Sequence, residues 1–345
     1  MIKLDGSYGE GGGQIARTAL ALSALIGKSF EVDNIRKGRC SSGLKAQHLY
    51  CIKALKELCN AKTNDVEAGS EYLRFIPDKF KAKNLEIDIG TAGSVTLLLQ
   101  SLLLPCMFGD KKIRLTITGG TDGKWAMPFD YFSNVFVPQI TSYADIDVRL
   151  LKRGYYPKGG GKIELSIRPK YALNNLPNNP INLVEQGELL QIKGISHASK
   201  NLEKASVAER QAKTAELILK KYKCPVDIRT EYCDTLSAGS GIVAWALFEN
   251  NIVLGSDGLG EAGKKAELVG EEAAKNLVKE IDSKAAADRH MADNILSFMA
   301  ILHGKIKTSE ITNHCKTNIY VIEKFLGECF EIDDENKIIT SRKSE

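Results

Sequence analysis

Apolar positions along the chain change period in a fixed order, and that order recurs. Ile2 to Leu4 reads as a short strand, followed by glycines and a helix with Ile15, Ala19, Leu22 and Ile26 on one face. Phe30 to Ile35 alternates apolar with polar, as a strand does, and Leu44, Leu49, Ile52, Leu55 and Leu58 predict a second helix. Two short strands follow, near Val66 and over Tyr72 to Ile76. The order strand, helix, strand, helix, strand, strand then restarts with Leu85 to Ile89 and the glycine turn at Gly90 and Gly93. An apolar helix over 94–107, a strand from Ile113 to Thr118, a helix near 129–143 and strands at 146–151 and 162–167 complete the copy. Units recurring about every 85 residues point to internal duplication, with sheets covered by helices on one face.

Residues 170–190 break the pattern, and the run Asn174-Asn175-Leu176-Pro177-Asn178-Asn179-Pro180 is a turn-rich linker. A different αβ module follows: strand 188–196, helix 204–222, strands near 226–232, 241–248 and 251–255, and helix 264–280. The repeat then returns over 286–303, 305–311, 318–326 and 328–340 as helix, strand, helix and two strands, without its opening strand. The expected fold is α/β in content and α+β in arrangement. It comprises a large domain of three βαβαββ units over 1–184 plus 285–345, and a smaller αβ domain inserted at 185–284.

Charge adds a constraint: 47 Lys and Arg against 43 Asp and Glu leave only +4. A broad cationic nucleic-acid surface is not expected, so any RNA contact should be local, such as a terminus held in a site. Eight cysteines include no C-x-x-C pair, which suits free thiols in a reducing cytosol and argues against a zinc site. The N-terminus is a strand and glycine loop rather than a signal peptide. The longest apolar run, Val95 to Met107, contains Thr96, Gln100 and Ser101 and is too short to span a bilayer. A soluble cytoplasmic protein with no membrane partner is expected.

Several segments carry candidate chemistry. Gly9-Glu10-Gly11-Gly12-Gly13-Gln14 lies between strand and helix, where bare backbone and a helix start favour phosphate, although such a run also serves as a plain turn. Arg17 follows about one turn later. Arg36, Lys37 and Arg39 cluster at the next strand end, either as a solvated loop or as bidentate phosphate contacts, with Gln47 just beyond. Gly258 to Lys264 imitates a phosphate-binding P-loop, but Lys265 stands where Ser or Thr must hold magnesium, so a glycine turn before a helix is expected. His314 sits where a strand passes into a helix, and the positive end of the helix dipole there favours neutral, nucleophilic imidazole. His290-Met291-Ala292-Asp293-Asn294 opens the preceding helix, where Asp293 is placed to orient a ring or hold a ligand group.

Together these segments resemble the RNA 3'-terminal phosphate cyclase family along nearly the whole chain. The residues that carry the resemblance include Glu10 to Gln14 with Arg17, then Arg36, Gly38-Arg39, Gly43-Leu44 and Gln47. They continue with Gly93-Ser94, Gln100, Gly119 to Asp122, Arg153 to Pro157, His290 to Asn294, and His314 with Thr317 to Ile319. The resemblance implies a repeat domain of the initiation-factor C-terminal type with an inserted αβ domain. It implies ATP and Mg2+ or Mn2+ as cofactors, and RNA 3'-phosphate ends as the partner. His314 would be the catalytic nucleophile, taking AMP from ATP. Gln100, His290, Met291, Ala292, Asp293 and Asn294 would bind the nucleotide, with Arg17, Arg36, Arg39 and Gln47 around its phosphates and Glu10 on the metal. The chain departs from the family at Asn294 (usually glutamine), Ser42 and Met127 (usually prolines). Two other readings stay open: a non-catalytic cyclase-like factor in ribosome assembly, and an enolpyruvyl transferase with similar repeats.

Overall fold

In the computed structural model, which describes residues 1–342, the recurring runs become three four-stranded sheets of identical internal order. The first unit has strands β1 (Ile2–Asp5), β2 (Phe30–Asp33), β3 (Lys62–Thr63) and β4 (Leu73–Ile76), ordered β1-β2-β4-β3, with helices α1 (Gln14–Ile26) and α2 (Ala46–Cys59). The second has β5 (Leu85–Asp88), β6 (Ile113–Gly119), β7 (Ala144–Lys152) and β8 (Gly161–Pro169), ordered β5-β6-β8-β7. Its helices are α3 (Val95–Met107) and α4 (Phe129–Tyr131), the latter running on through a π turn to Phe136 and a 3-10 turn to Gln139.

The third unit is complete, which corrects the expectation that its opening strand is missing. Strand β9 (Ile181–Leu183) supplies it and pairs in parallel with β14 (Gly304–Lys307), as β1 does with β2 and β5 with β6. The sheet continues through β16 (Ile338–Ser341) to β15 (Phe330–Asp333), with helices α7 (Arg289–Leu302) and α8 (Asn313–Leu326). Three residues directly after Pro180 are too few to show a period. Helix α8 also starts five residues before the expected 318, because its first turn is polar and exposes no apolar period. The strand expected near Val66 lies at Lys62–Thr63 instead.

Between β9 and α7 the chain builds a fourth sheet, ordered β11-β10-β12-β13. Its strands are β10 (Leu189–Ser199), β11 (Val226–Cys233), β12 (Ser240–Phe248) and β13 (Val253–Leu259), with α5 (Val207–Leu219) and α6 (Ala266–Asp282) packed on it. The buried amide of Gln186 donates to the carbonyls of Ile281 (3.2 Å) and Ala285 (3.1 Å), tying the outgoing and returning passages together.

A buried ionic network joins this sheet to the second unit. Arg153 follows β7, and its guanidinium reaches Asp130 (2.7 Å), Asp122 (3.3 Å) and Glu231 of β11 (2.7 Å). On β10, His197 places Nε2 3.3 Å from Asp122 and Nδ1 2.7 Å from the Tyr155 hydroxyl. Burial opposes ionisation of Asp122, but His197 and Arg153 outweigh it and hold the carboxyl below the usual range. Burial raises Asp130, against the pull of Arg153 and His197.

All eight cysteines are free thiols. Among the described residues no helix is long and apolar enough to cross a membrane.

Candidate active site

The starts of α1, α7 and α8 converge on a cavity of about 800 Å³. The glycine loop ahead of α1 can approach closely because a side chain cannot fit there: a Cβ at Gly13 would stand 2.1 Å from His48 Nε2. Gln14, the first residue of α1, crosses to α8 and holds His314 twice. Its amide nitrogen donates to the His314 carbonyl (3.1 Å), so its oxygen is what faces His314 Nδ1, to which it is hydrogen-bonded. Nδ1 is therefore the donor, and in a neutral ring the lone pair is left on Nε2. Nε2 lies 3.1 Å from Glu10, whose same carboxylate oxygen pairs with Arg39 at 3.0 Å.

The frame behind His314 is laced by α7. Thr312 caps α8 by accepting from the Cys315 amide (3.1 Å), and its hydroxyl donates to Asp293. Asp293 also accepts from the Cys315 thiol (3.2 Å), and its carbonyl accepts from Asn318 (2.6 Å). Burial raises the Asp293 carboxyl above its ordinary range, against the hydrogen bonds it accepts. Asp293 thus fixes the helix that carries His314 rather than orienting either imidazole directly.

A second chain of hydrogen bonds takes one residue from each repeat. Arg17 of α1 donates to Gln100 of α3 (2.9 Å), and Gln100 donates to Asn294 of α7 (2.6 Å). Asn294 donates in turn to the His290 carbonyl (2.7 Å). Arg17 also reaches His48 Nε2 at 3.2 Å. Burial, then Arg17, Arg36 and Lys45, holds His48 well below the ordinary histidine range, so it offsets no cationic charge. Arg17 keeps part of its surface on the cavity, yet burial pushes its guanidinium down to about 10. Its hydrogen-bond partners are neutral, and no carboxylate pairs with it among the described residues.

Of the residues expected to act, Glu10, Arg17, Gln100, His290, Asp293, Asn294 and His314 line the cavity. Arg39 joins through Glu10, whereas Arg36 and Gln47 are not among the lining residues. Arg36 donates to the Ser41 carbonyl (3.1 Å), and Gln47 packs toward Gly93. Met291 and Ala292 are not brought to the cavity: both are fully buried in the core, and their amides are taken up by Asp288 at the α7 cap. Gly258 and Leu259 end β13, and the residues from Gly260 to Lys265 form the glycine turn expected ahead of α6. Lys264 donates to the Leu259 carbonyl (3.1 Å) and pairs with Glu272.

No motif or spacing along the chain signals that the inserted module forms a wall of the cavity, through Asp257, Lys264, Glu272 and Glu280. Burial, followed by repulsion from Asp288, pushes the Glu280 carboxyl up to about 7, and its Oε2 has no hydrogen-bond partner. A raised acid favours folding when protonated, so its contribution is full below the unfolded value near 4.5 and is lost as pH rises through about 7. Glu280→Gln is expected to melt above wild type at pH 8 and close to it at pH 5, by thermal unfolding across that range. A difference that does not change with pH would show that Glu280 does not titrate in this window.

Fold and cavity together define an α+β enzyme built on a triplicated βαβαββ unit, with a histidine and a cation presented at the junction of the repeats. The family model for RNA 3'-terminal phosphate cyclase matches residues 8–332. A curated relative from Pyrococcus abyssi, named RNA 3'-terminal phosphate cyclase, is 45% identical over 97% of this chain and 96% of its own. Relatives of the same name from Archaeoglobus fulgidus and Pyrobaculum aerophilum are 45% and 44% identical, covering 98% and 94% of this chain and 99% and 92% of theirs. The chain belongs to the RNA 3'-terminal phosphate cyclase family.

Proposed function

We propose that this enzyme uses ATP to close RNA 3'-phosphate ends into 2',3'-cyclic phosphates, carrying AMP on His314. The observation that carries the reading is the pairing of an oriented imidazole with an unneutralised cation. Gln14 leaves the lone pair of His314 on Nε2, and Arg17 stands in the same cavity without a carboxylate. A half-buried guanidinium held only by neutral partners favours an anion, and a phosphate supplies one.

Three displacements follow. Nε2 attacks the α-phosphorus of ATP, a P–N bond forms, and the bond to the β-phosphate oxygen breaks to release pyrophosphate. An oxygen of the RNA 3'-phosphate then attacks the same phosphorus, returning the electron pair to Nε2 and leaving AMP on the RNA end. Finally the 2'-hydroxyl attacks the 3'-phosphorus, loses its proton, and expels AMP. Arg17, with Gln100 holding its guanidinium in place, stabilises charge on the phosphates, and the glycine-loop amides at the start of α1 assist. Gln14 and the Asp293–Thr312 cap keep Nε2 aimed through the cycle.

For Mg2+ or Mn2+, Glu10 fits. Its carboxylate is 31% exposed and lies 3.1 Å from His314 Nε2, so an ion held on it would stand beside the phosphate that Nε2 attacks. One carboxylate plus substrate phosphates is an ordinary magnesium ligand set, and the ion would offset phosphate charge. Asp122, Asp130 and His197 also lie within metal-ligand range of one another, and Asp122 Oδ1 has no hydrogen-bond partner, but the Arg153 guanidinium on Asp122 Oδ2 and Asp130 already supplies that cluster with a cation. We assign residues 1–184 and 285–345 to the catalytic repeat domain and 185–284 to the inserted one. The eight free thiols suit work in the cytoplasm. The non-catalytic and enolpyruvyl-transferase alternatives call for no oriented nucleophile and account for neither Gln14 nor Arg17.

An RNA bearing a 3'-phosphate on a terminal 2'-deoxyribose tests the order of steps. It still accepts AMP but lacks the closing hydroxyl, so the mixed diphosphate should accumulate. A ribose end consumes it quickly, since well-oriented intramolecular attack enjoys effective molarities of roughly 10⁵ M or more. A slower gel band carrying label from α-labelled ATP, mainly with the deoxy end, is the expected result. If the ribose end cyclises and the deoxy end never carries AMP, activation by adenylylation is wrong.

A further inference from the structure

The chain has two tryptophans, and they are placed in opposite ways. Trp245 lies in β12 and is 7% exposed, whereas Trp125 is 94% exposed although it lines the cavity that holds His314. Leaving so large an apolar surface in water costs free energy that burial would recover. The backbone adds a second anomaly. Trp125 has φ +61°, the left-handed region that disfavours a bulky residue, and strain of this kind persists where the surrounding loop imposes it.

That loop is anchored on both sides of the ring. Before it, Lys124 pairs with Glu261 across the cavity mouth at 2.9 Å. After it, the Met127 carbonyl accepts from the Thr96 hydroxyl at 2.6 Å. Trp125 is therefore held out at the rim between the second repeat and the inserted module. The cavity behind it, about 800 Å³, is near the upper end of the roughly 300–1,000 Å³ that a single small ligand occupies, which leaves room for a second nucleotide unit.

We propose that Trp125 is a stacking surface for a nucleobase, and that the base is the one on the terminal nucleotide of the RNA. The inference rests on the cyclase reading for the identity of the substrate. Indole faces stack on any base without reading its hydrogen-bonding edge, so a site built this way grips many RNA ends alike. The rim position favours RNA over ATP as the source. A nucleotide that delivers its α-phosphate to His314 lies within the cavity, while an RNA chain must leave through its mouth.

Because Trp245 is buried, the solvent-exposed part of the intrinsic fluorescence reports Trp125. Three probes are titrated into the full-length protein: an α,β-methylene ATP analogue, a short 3'-phosphorylated RNA, and the same RNA with an abasic terminal nucleotide. Quenching by the intact RNA alone is the expected result, and its disappearance in Trp125→Ala shows that the signal comes from this ring. The RNA concentration giving half-maximal cyclisation should rise about tenfold or more in Trp125→Ala, in line with base–aromatic stacking, and recover in Trp125→Phe. Quenching by the ATP analogue with none from RNA would hand the ring to the adenine of ATP and overturn the assignment. Equal quenching by the intact and abasic ends, or none by any probe, removes the stacking role. Labelling of wild-type His314 with α-labelled ATP is measured on the same preparation. Its failure counts against the cyclase reading, while quenching by the intact RNA alone still supports the stack.

Discussion

His314→Ala is expected to end covalent capture of AMP, taking protein-bound label from α-labelled ATP to background with the fold intact. The side chain is 42% exposed at the start of α8, so truncating it opens no core cavity and should change stability by only about 0.5 kcal/mol. The cap that sets the helix does not depend on the ring, because Thr312, Asp293 and Cys315 make it among themselves. Activity and stability are thus separable at this position, and circular dichroism with thermal unfolding provides the control. Retained labelling in a folded variant would move the nucleophile elsewhere. His290 is then the first suspect, since it is the second residue of α7 as His314 is of α8, and it lines the same cavity.

The largest stability effect is expected at Arg153. Its guanidinium is 1% exposed, and the carboxylates of Asp122 and Asp130 beside it are 1% and 4% exposed. Removing one partner of a buried ion pair leaves charge without compensation and costs on the order of 3–5 kcal/mol. Arg153→Met keeps the volume while removing the charge, and should lower denaturant stability by about that amount. Adding Asp130→Asn should restore part of the loss, because one stranded carboxylate is then gone. A loss below about 1 kcal/mol, or no recovery in the double variant, would show that water enters and solvates these acids. The same network spans β7, β10 and β11, so its loss should also be felt in how firmly the fourth sheet is held against the second repeat.

The repeated unit was legible because its signals are local. Ile15, Ala19, Leu22 and Ile26 mark α1 within one segment, and the glycine loop beside them announces the site. His314 and Arg17 could be singled out for the same reason: each lies at or near a helix start beside a glycine-rich or polar turn. What escaped was either too short to show a period or assembled from distant positions. Ile181–Leu183 has three residues, and only its pairing with β14 makes it a strand. Asp122, Asp130, Arg153, His197 and Glu231 become neighbours only when two sheets meet, and no spacing along the chain encodes that meeting. Met291 and Ala292 show what a shared segment hides. They share a segment with cavity residues, but helical rotation turns their side chains into the core.

The hydrogen-bonded line from Arg17 through Gln100 to Asn294 has an evolutionary reading. Three separate copies of one small ancestral protein, meeting at a point, would have to offer the same side chain three times. Three arginines there would repel one another, and three amides would hold no phosphate. Fusing the copies into one gene releases them from that symmetry. One copy keeps the charge, and the others mutate into the neutral props that aim it. The internal duplication is thus more than a cheap way to make a large protein: it let each copy bring a different residue to one line, and one cation with two supports is available only to a chain that is no longer symmetric.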